Sequence, residues 1–254
     1  MANPRKRGKD PLTVSAPDER ARAVREMFAA IAPRYDRLNH LLSLNVDRFW
    51  RRRAVDRLGW LERPHGLFLD VCSGTYDLGI ELVRRSGFCG RVLALDFAQA
   101  MLHHGRPKIA GLPILPLCAD ALRIPIPAGR CDGVMAAFGI RNLVDLDDGL
   151  AELGRVLNPG ARLVLLDFAM PGRQPLKWLY RQYFTRLLPV IGRLLSKHSH
   201  AYTYLPESVL AFSEPARLAA RLSSAGFHDV GWEPLSGGIA CLWWGVRAPV
   251  DGLT

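Results

Sequence analysis

Between Glu19 and Gly59 the apolar residues recur at helical spacing. Val24, Met27, Phe28 and Ile31 fall at i, i+3, i+4 and i+7, one apolar stripe that predicts a helix. Pro33 interrupts the run. A second helix is expected from about Arg37, with Leu38, Leu41 and Leu42 on one face, and a third carries Val46, Phe49, Trp50 and Leu58. Beyond Gly59 the pattern changes. The short runs Leu67–Val71, Arg91–Leu95, Ile114–Cys118, Gly133–Phe138 and Arg162–Phe168 read as strands, with helical patterns between most of them. Such alternation predicts an α/β fold of Rossmann-like type, a mostly parallel sheet with helices on both faces. Asn158-Pro159-Gly160 is expected to turn the chain into the fifth strand. Ala216–Ala225 then reads as a helix, and Val230–Trp232 and Ile239–Val246 as an antiparallel end to a seven-stranded sheet.

Composition divides the chain further. Its 254 residues are 49% hydrophobic and 23% charged, enough apolar material for a full core. Residues 1–18 read as a disordered basic leader, 19–60 as an N-terminal helical lid, and 61–254 as the main domain. Within that domain, 168–206 reads as a basic insertion. From Phe168 to Pro206 there is no acidic residue, while Arg173, Lys177, Arg181, Arg186, Arg193 and Lys197 interleave with Trp178, Tyr180, Tyr183 and Phe184. The formal charge of +10 suits an anionic surface. Large aromatics among the basic residues suit lipid, and no nucleic-acid recognition motif is present. No apolar run is long enough to span a bilayer, and the leader lacks the apolar stretch of a secretory signal. Five scattered cysteines without a CxxC fit a reducing cytoplasm. His103-His104 and His198-x-His200 have no carboxylate cluster or cysteine at ligand spacing, so no metal is expected.

The candidate chemistry begins where the first strand ends. Asp70-Val71-Cys72-Ser73-Gly74-Thr75-Tyr76-Asp77 is a strand meeting a turn and then a helix, the place where open α/β sheets bind ligands. Asp96 ends the second strand, placed to accept hydrogen bonds from two ribose hydroxyls. Asp120 closes the third strand and, with Ala121, edges an adenine. A nicotinamide dinucleotide asks for G-x-G-x-x-G, but the frame from Gly74 to Gly79 has Tyr76 at its middle glycine. S-adenosylmethionine carries no phosphate and has a cationic sulfur, which suits Asp70, Asp77 and Asp96. The competing use of these aspartates is helix capping in a domain that binds no nucleotide.

Several segments resemble the ubiquinone/menaquinone biosynthesis C-methyltransferase family, within the class I S-adenosylmethionine-dependent methyltransferases. They are Met27–Asp36 followed by Leu38-Asn39 and Trp50, Phe138-Gly139-Ile140-Arg141-Asn142, Arg155–Gly160, Tyr202-x-Tyr204-Leu205-x-Glu207-Ser208, Ala225-Gly226-Phe227 and Gly237–Ala240. The resemblance covers nearly everything from Val24 to Gly245. It implies cofactor contacts from Gly74, Thr75, Asp96, Asp120 and Ala121, and places Arg141 at the mouth of the site. Tyr35, Asp36, Asn142, Tyr202 and Tyr204 are candidate lid or substrate residues. The implied reaction moves a methyl group from S-adenosyl-L-methionine to a ring carbon of a polyprenylated quinol, with benzoquinol and naphthoquinol both open. The implied partners are that quinol, an anionic membrane met peripherally from the cytoplasmic side, and a second copy of the chain.

Arg141 is the candidate catalytic group. A phenol ionises near pH 10, so a ring carbon becomes nucleophilic only if something stabilises the phenolate. An ion pair to Asp145 or Asp147 is the competing use of that guanidinium. Two positions depart from the family pattern: Tyr76 stands for glycine, and Ala137 for a small polar residue. Tyr76 is expected to keep negative φ, with its ring turned from the cofactor toward Tyr35. Its bulk motivates two other readings, a divergent methyltransferase for another aromatic or lipid acceptor, and a non-catalytic scaffold in a quinone-synthesis assembly.

Overall fold

The computed structural model describes residues 17–36, 43, 45–183, 186, 204, 208–212 and 214–249. Residues 1–16 of the expected leader, the helix from Arg37, Tyr202 and most of the insertion beyond Tyr183 lie outside them, while Pro17 and Asp18 fall within the first helix. Helix α1 spans Pro17–Ile31 and α2 spans Val46–Arg57. A doubly wound unit follows: β1 (Leu67–Val71), α3 (Asp77–Val83), β2 (Arg91–Asp96), α4 (Gln99–Gly105), β3 (Ile114–Cys118), β4 (Cys131–Ala137), α5 (Leu146–Val156) and β5 (Leu157–Phe168). Then come α6 (Leu176–Gln182), α7 (Pro215–Ser224), β6 (Phe227–Leu235) and β7 (Ala240–Arg247).

The seven strands lie in the order β3-β2-β1-β4-β5-β7-β6. The first five are parallel, and β7 runs antiparallel to both β5 and β6. Helices cover both faces, which is why the central strands read as continuous apolar runs. Leu69, Val71, Leu163 and Leu165 pack with Leu150, Leu153, Leu218 and Trp243 on one side. Phe68, Val164 and Leu166 pack with Trp50, Leu58 and Leu82 on the other. Gly133 on β4 makes room for this second core, because a Cβ there would stand 2.8 Å from the Phe68 ring.

Two local expectations change. Phe49, read with the apolar face of its helix, is half exposed, while Trp50 and Leu58 are buried. The turn at Asn158-Pro159-Gly160 is absorbed into β5. Cys131 pairs with Leu157 but Gly133 pairs with Arg162, so the intervening residues bulge, with Gly160 at positive φ. A bulge of this kind lets a strand continue through a turn-forming sequence.

Strand order reverses at β1, whose neighbours are β2 and β4. A ligand crevice forms outside the carboxyl ends of strands at such a point.

Candidate active site

The loop after β1 is held against β2 by its own backbone. Ser73 N–H donates to the Leu95 carbonyl at 2.9 Å, and Gly74 N–H donates to Asp96 Oδ2 at 2.8 Å. Ala98 N–H donates to Asp96 Oδ1 at 2.8 Å. Each oxygen of Asp96 thus accepts a backbone N–H and retains acceptor capacity for further donors. Burial pushes the Asp96 carboxyl up, against the N–H groups of Ala98, Gly74 and Phe97.

Cys72, Gly74 and Tyr76 alternate at φ +54°, +54° and +72°. Only glycine adopts this region without cost, so Cys72 and Tyr76 each carry about 1–2 kcal/mol of backbone strain. The expected negative φ at Tyr76 is thus corrected. So is the direction of its ring, which passes beneath α4 rather than toward Tyr35. The ring is fully buried, and its hydroxyl donates to the Leu102 carbonyl at 2.6 Å. Gly105 completes the fit, since a Cβ there would stand 2.8 Å from the ring. Aromatic burial plus a satisfied hydroxyl offsets the strain. Burial also pushes the Tyr76 phenol up to about 12.

A cleft partly open to solvent lies over this loop. Gly74, Asp96, Asp120, Ala121, Tyr35 and Asn142 line it. Thr75, Asp36, Arg141 and Tyr204 are not among the lining residues. Thr75 Oγ1 instead donates to Asp36 Oδ1. Tyr204 stands behind Asn142, its hydroxyl donating to Asn142 Oδ1 at 2.9 Å. Asp120 Oδ1 accepts from the Leu122 N–H at 2.9 Å, which fixes its loop.

Arg141 sits behind the cleft wall formed by Phe138, Gly139 and Asn142, its side chain 6% exposed. Its partner is neither Asp145 nor Asp147. Asp145 caps α5 by accepting from the N–H groups of Asp147 and Asp148. Arg141 Nη1 pairs with Asp167 Oδ1 at 2.7 Å and also donates to the Phe138 carbonyl. Nε donates to Ser208 Oγ at 3.3 Å, and the guanidinium lies 5.5 Å from the Phe168 ring centre. Burial works to lower its pKa, yet Asp167, Tyr35 and Tyr204 hold it above its ordinary value. The side chain is thus a fixed cation.

Asp167, Arg25, Phe28, Cys72, Phe97 and Met101 belong to the site or its walls without having been singled out for it. Arg25 faces the Phe97 ring at 5.5 Å. Its stripe neighbours Val24 and Phe28 marked α1 as amphipathic, but nothing in the spacing said that α1 roofs a cleft. Cys72 is pushed well up, by burial first and then by Asp96, Asp70 and Asp167, so it stays a neutral thiol.

The donor set fits S-adenosylmethionine. A buried carboxylate with spare lone pairs suits a ribose diol, and the apolar Phe97, Met101, Ala121 and Leu122 suit a flat base. The Tyr76 ring, turned beneath α4, does not line the cleft.

Residues 15–247 match the family described as the ubiE/COQ5 methyltransferase family. The chain is 43% identical over 240 residues to the ubiquinone/menaquinone biosynthesis C-methyltransferase UbiE of Geobacter sulfurreducens, covering 93% of each chain. It is 47% identical over 230 residues to the demethylmenaquinone methyltransferase of Deinococcus radiodurans, covering 89% of this chain and 93% of the relative. Among solved structures, a SAM-dependent methyltransferase from Aquifex aeolicus matches with a TM-score of 0.53 at 21% identity, covering 74% of this chain and 87% of that one. This last likeness speaks for the fold.

Proposed function

Because the chain belongs to the ubiE/COQ5 methyltransferase family, we propose that it transfers a methyl group from S-adenosylmethionine to a ring carbon of a polyprenylated hydroquinone in menaquinone or ubiquinone synthesis. The observation that carries this reading is the pairing of an Asp96-anchored cofactor cleft with a fixed cation, Arg141, behind its opposite wall.

Bound S-adenosylmethionine supplies an electrophilic methyl group on a positively charged sulfur. Asp96 accepts the ribose hydroxyls, and Asp120 and Ala121 border the base. Positioning of donor against acceptor supplies much of the acceleration. The ring hydroxyl must lose its proton for the neighbouring carbon to attack, and that proton passes to water. Tyr204 occupies Asn142 Oδ1, which leaves the Asn142 amide N–H groups to donate to a developing phenolate. Arg141 adds a positive charge in a low-dielectric wall, where electrostatic stabilisation is strongest. With the methyl group on the ring carbon and the carbon–sulfur electron pair left on sulfur, the ring carbon would lose its proton to water and the phenolate oxygen would regain one, a single proton being released overall.

The isoprenoid tail places the acceptor in a membrane. No helix among the described residues is long and apolar enough to cross one. In our reading the enzyme works from the cytoplasmic side and meets the bilayer peripherally through the basic insertion. Supporting this, α6 exposes Trp178 and Leu179 beside Lys177 and Arg181. Exposed aromatics next to cations suit an anionic interface.

Mass spectrometry of quinones from a strain lacking this protein tests the reading. Accumulation of the demethylated precursor is expected, and its ring identifies the acceptor. An unchanged quinone profile would overturn the proposal.

A further inference from the structure

Whereas α2 packs into a main core through Trp50 and, just past its end, Leu58, the described part of the lid before it, residues 17–36, rests on a small apolar cluster. Ala32, Ala98 and Met101 form a small cluster with the partly buried Phe28, Tyr35 and Phe97, apart from both main cores. Phe28, Tyr35, Phe97 and Met101 also line the cleft. Residues that seat this segment therefore also line the cleft, so its departure would open the cleft further.

An ionic group stands at the lid's end. Lys108, on the 3-10 turn Arg106–Ile109 after α4, reaches Asp36 Oδ2 at 2.9 Å and Asp77 Oδ1 at 2.5 Å. Its Nζ also lies 3.4 Å from Thr75 Oγ1, which itself donates to Asp36 Oδ1. Arg51 Nη2 approaches the other oxygen of Asp77 at 3.6 Å. One ammonium thus ties the residue next to Tyr35 to the cofactor loop and to the first residue of α3. Without it, the ionic tie between Asp36 and the loop is lost, while Asp77 keeps the 3.6 Å approach of Arg51.

We infer that Lys108 is a positioning residue, a clasp that holds the N-terminal lid closed over the cofactor by bridging Asp36 of the lid to Asp77 and Thr75 of the cofactor loop. The inference rests on the assignment of the cleft to S-adenosylmethionine. It accounts for Thr75, whose hydroxyl serves the lid rather than the cleft.

The test uses the full chain and S-adenosylhomocysteine as probe, with affinity from calorimetry and release from stopped-flow displacement. Lys108→Met is expected to weaken affinity about five- to tenfold, through faster release, as for a partly shielded charged hydrogen-bond pair. Asp36→Asn, which leaves the Lys108–Asp77 pair intact, should speed release to a similar extent. The double variant should release no faster than Lys108→Met, and Lys108→Arg should restore release to within about twofold. Unchanged release in either single variant, or multiplied effects in the double variant, would overturn the clasp alone. A parent chain that does not bind S-adenosylhomocysteine would overturn the clasp together with the cofactor assignment.

Discussion

On the cofactor side of the cleft, backbone holds side chain: Asp96 takes the N–H groups of Gly74 and Ala98, and Asp120 takes that of Leu122. On the opposite side, side chain holds side chain. Arg141 is pinned by Asp167 and Ser208, and Asn142 by Tyr204, across 26, 67 and 62 residues of sequence. The first arrangement rests on backbone donors at strand ends, which stay in place when neighbouring side chains change. The second depends on partners from distant segments, so each substitution there leaves a buried group stranded.

Arg141→Ala should therefore have the largest effect. It leaves Asp167 buried without its cation, which costs about 3–5 kcal/mol of stability. Turnover should fall at least a hundredfold while affinity for S-adenosylhomocysteine, in chain that remains folded, changes little. Denaturant melts, calorimetry and a methyl-transfer assay separate these outcomes. Full activity in this variant would remove Arg141 from the mechanism. Arg141→Lys should recover part of the loss, because an ammonium lacks the planar fork.

Asp96→Ala comes next and strikes the other wall. Cofactor affinity should drop by roughly 1.5–3 kcal/mol, the scale of hydrogen bonds to a charged group. Unchanged affinity by calorimetry would mean that the ribose lies elsewhere.

Tyr204→Phe sharpens the contrast. It removes only the bond to Asn142 Oδ1, a loss of about 1 kcal/mol. The expectation is a drop in kcat/KM for the quinol with cofactor affinity unmoved. An effect on cofactor affinity instead would erase the distinction between the walls.

A pH effect lies beneath the cofactor loop. Burial pushes Asp70 up to about 8, against the Gly79 N–H and the Arg51 charge. Among the described residues, its Oδ1 has no hydrogen-bond partner. The folded chain keeps this proton where the unfolded chain has released it, so this group makes stability fall as pH rises from about 4 to about 8. The slope it adds is at most about 1.4 kcal/mol per pH unit. Asp70→Asn should flatten the stability profile across that window in melts at stepped pH. A parallel profile in the variant would show that Asp70 is ionised in the folded chain.

The smallest effect on cofactor affinity is expected at Tyr76. Since its ring packs under α4 and away from the cleft, Tyr76→Gly should leave cofactor affinity within about tenfold, or 1.4 kcal/mol. A gain well beyond tenfold would mean that the tyrosine obstructs the cofactor, and would favour a non-catalytic protein.

The same contrast explains what could be read along the chain. The strand ends carrying Asp96 and Asp120, and the loop at Gly74, were legible because each is a local junction of an apolar run and a turn. The partner of Arg141 was not. Asp145 and Asp147 are near in sequence, while Asp167 becomes its neighbour only because β5 pairs beside β4. Tyr76 was misread for a related reason. Backbone preference alone favours negative φ, but a pocket beneath α4, opened by Gly105, outweighs it through tertiary packing. Lys108 carried no signal at all, being one basic residue in a basic chain.

Carbon methylation of a quinol is the reaction we assign to this cleft. Its most direct test incubates the purified chain with S-adenosylmethionine labelled in the methyl group and a demethylated polyprenyl hydroquinone in vesicles, and locates the label in the product by tandem mass spectrometry. A label on a ring carbon is expected, strongly diminished in Arg141→Ala. A label on a ring oxygen, or no transfer from a chain that binds both ligands, would contradict it.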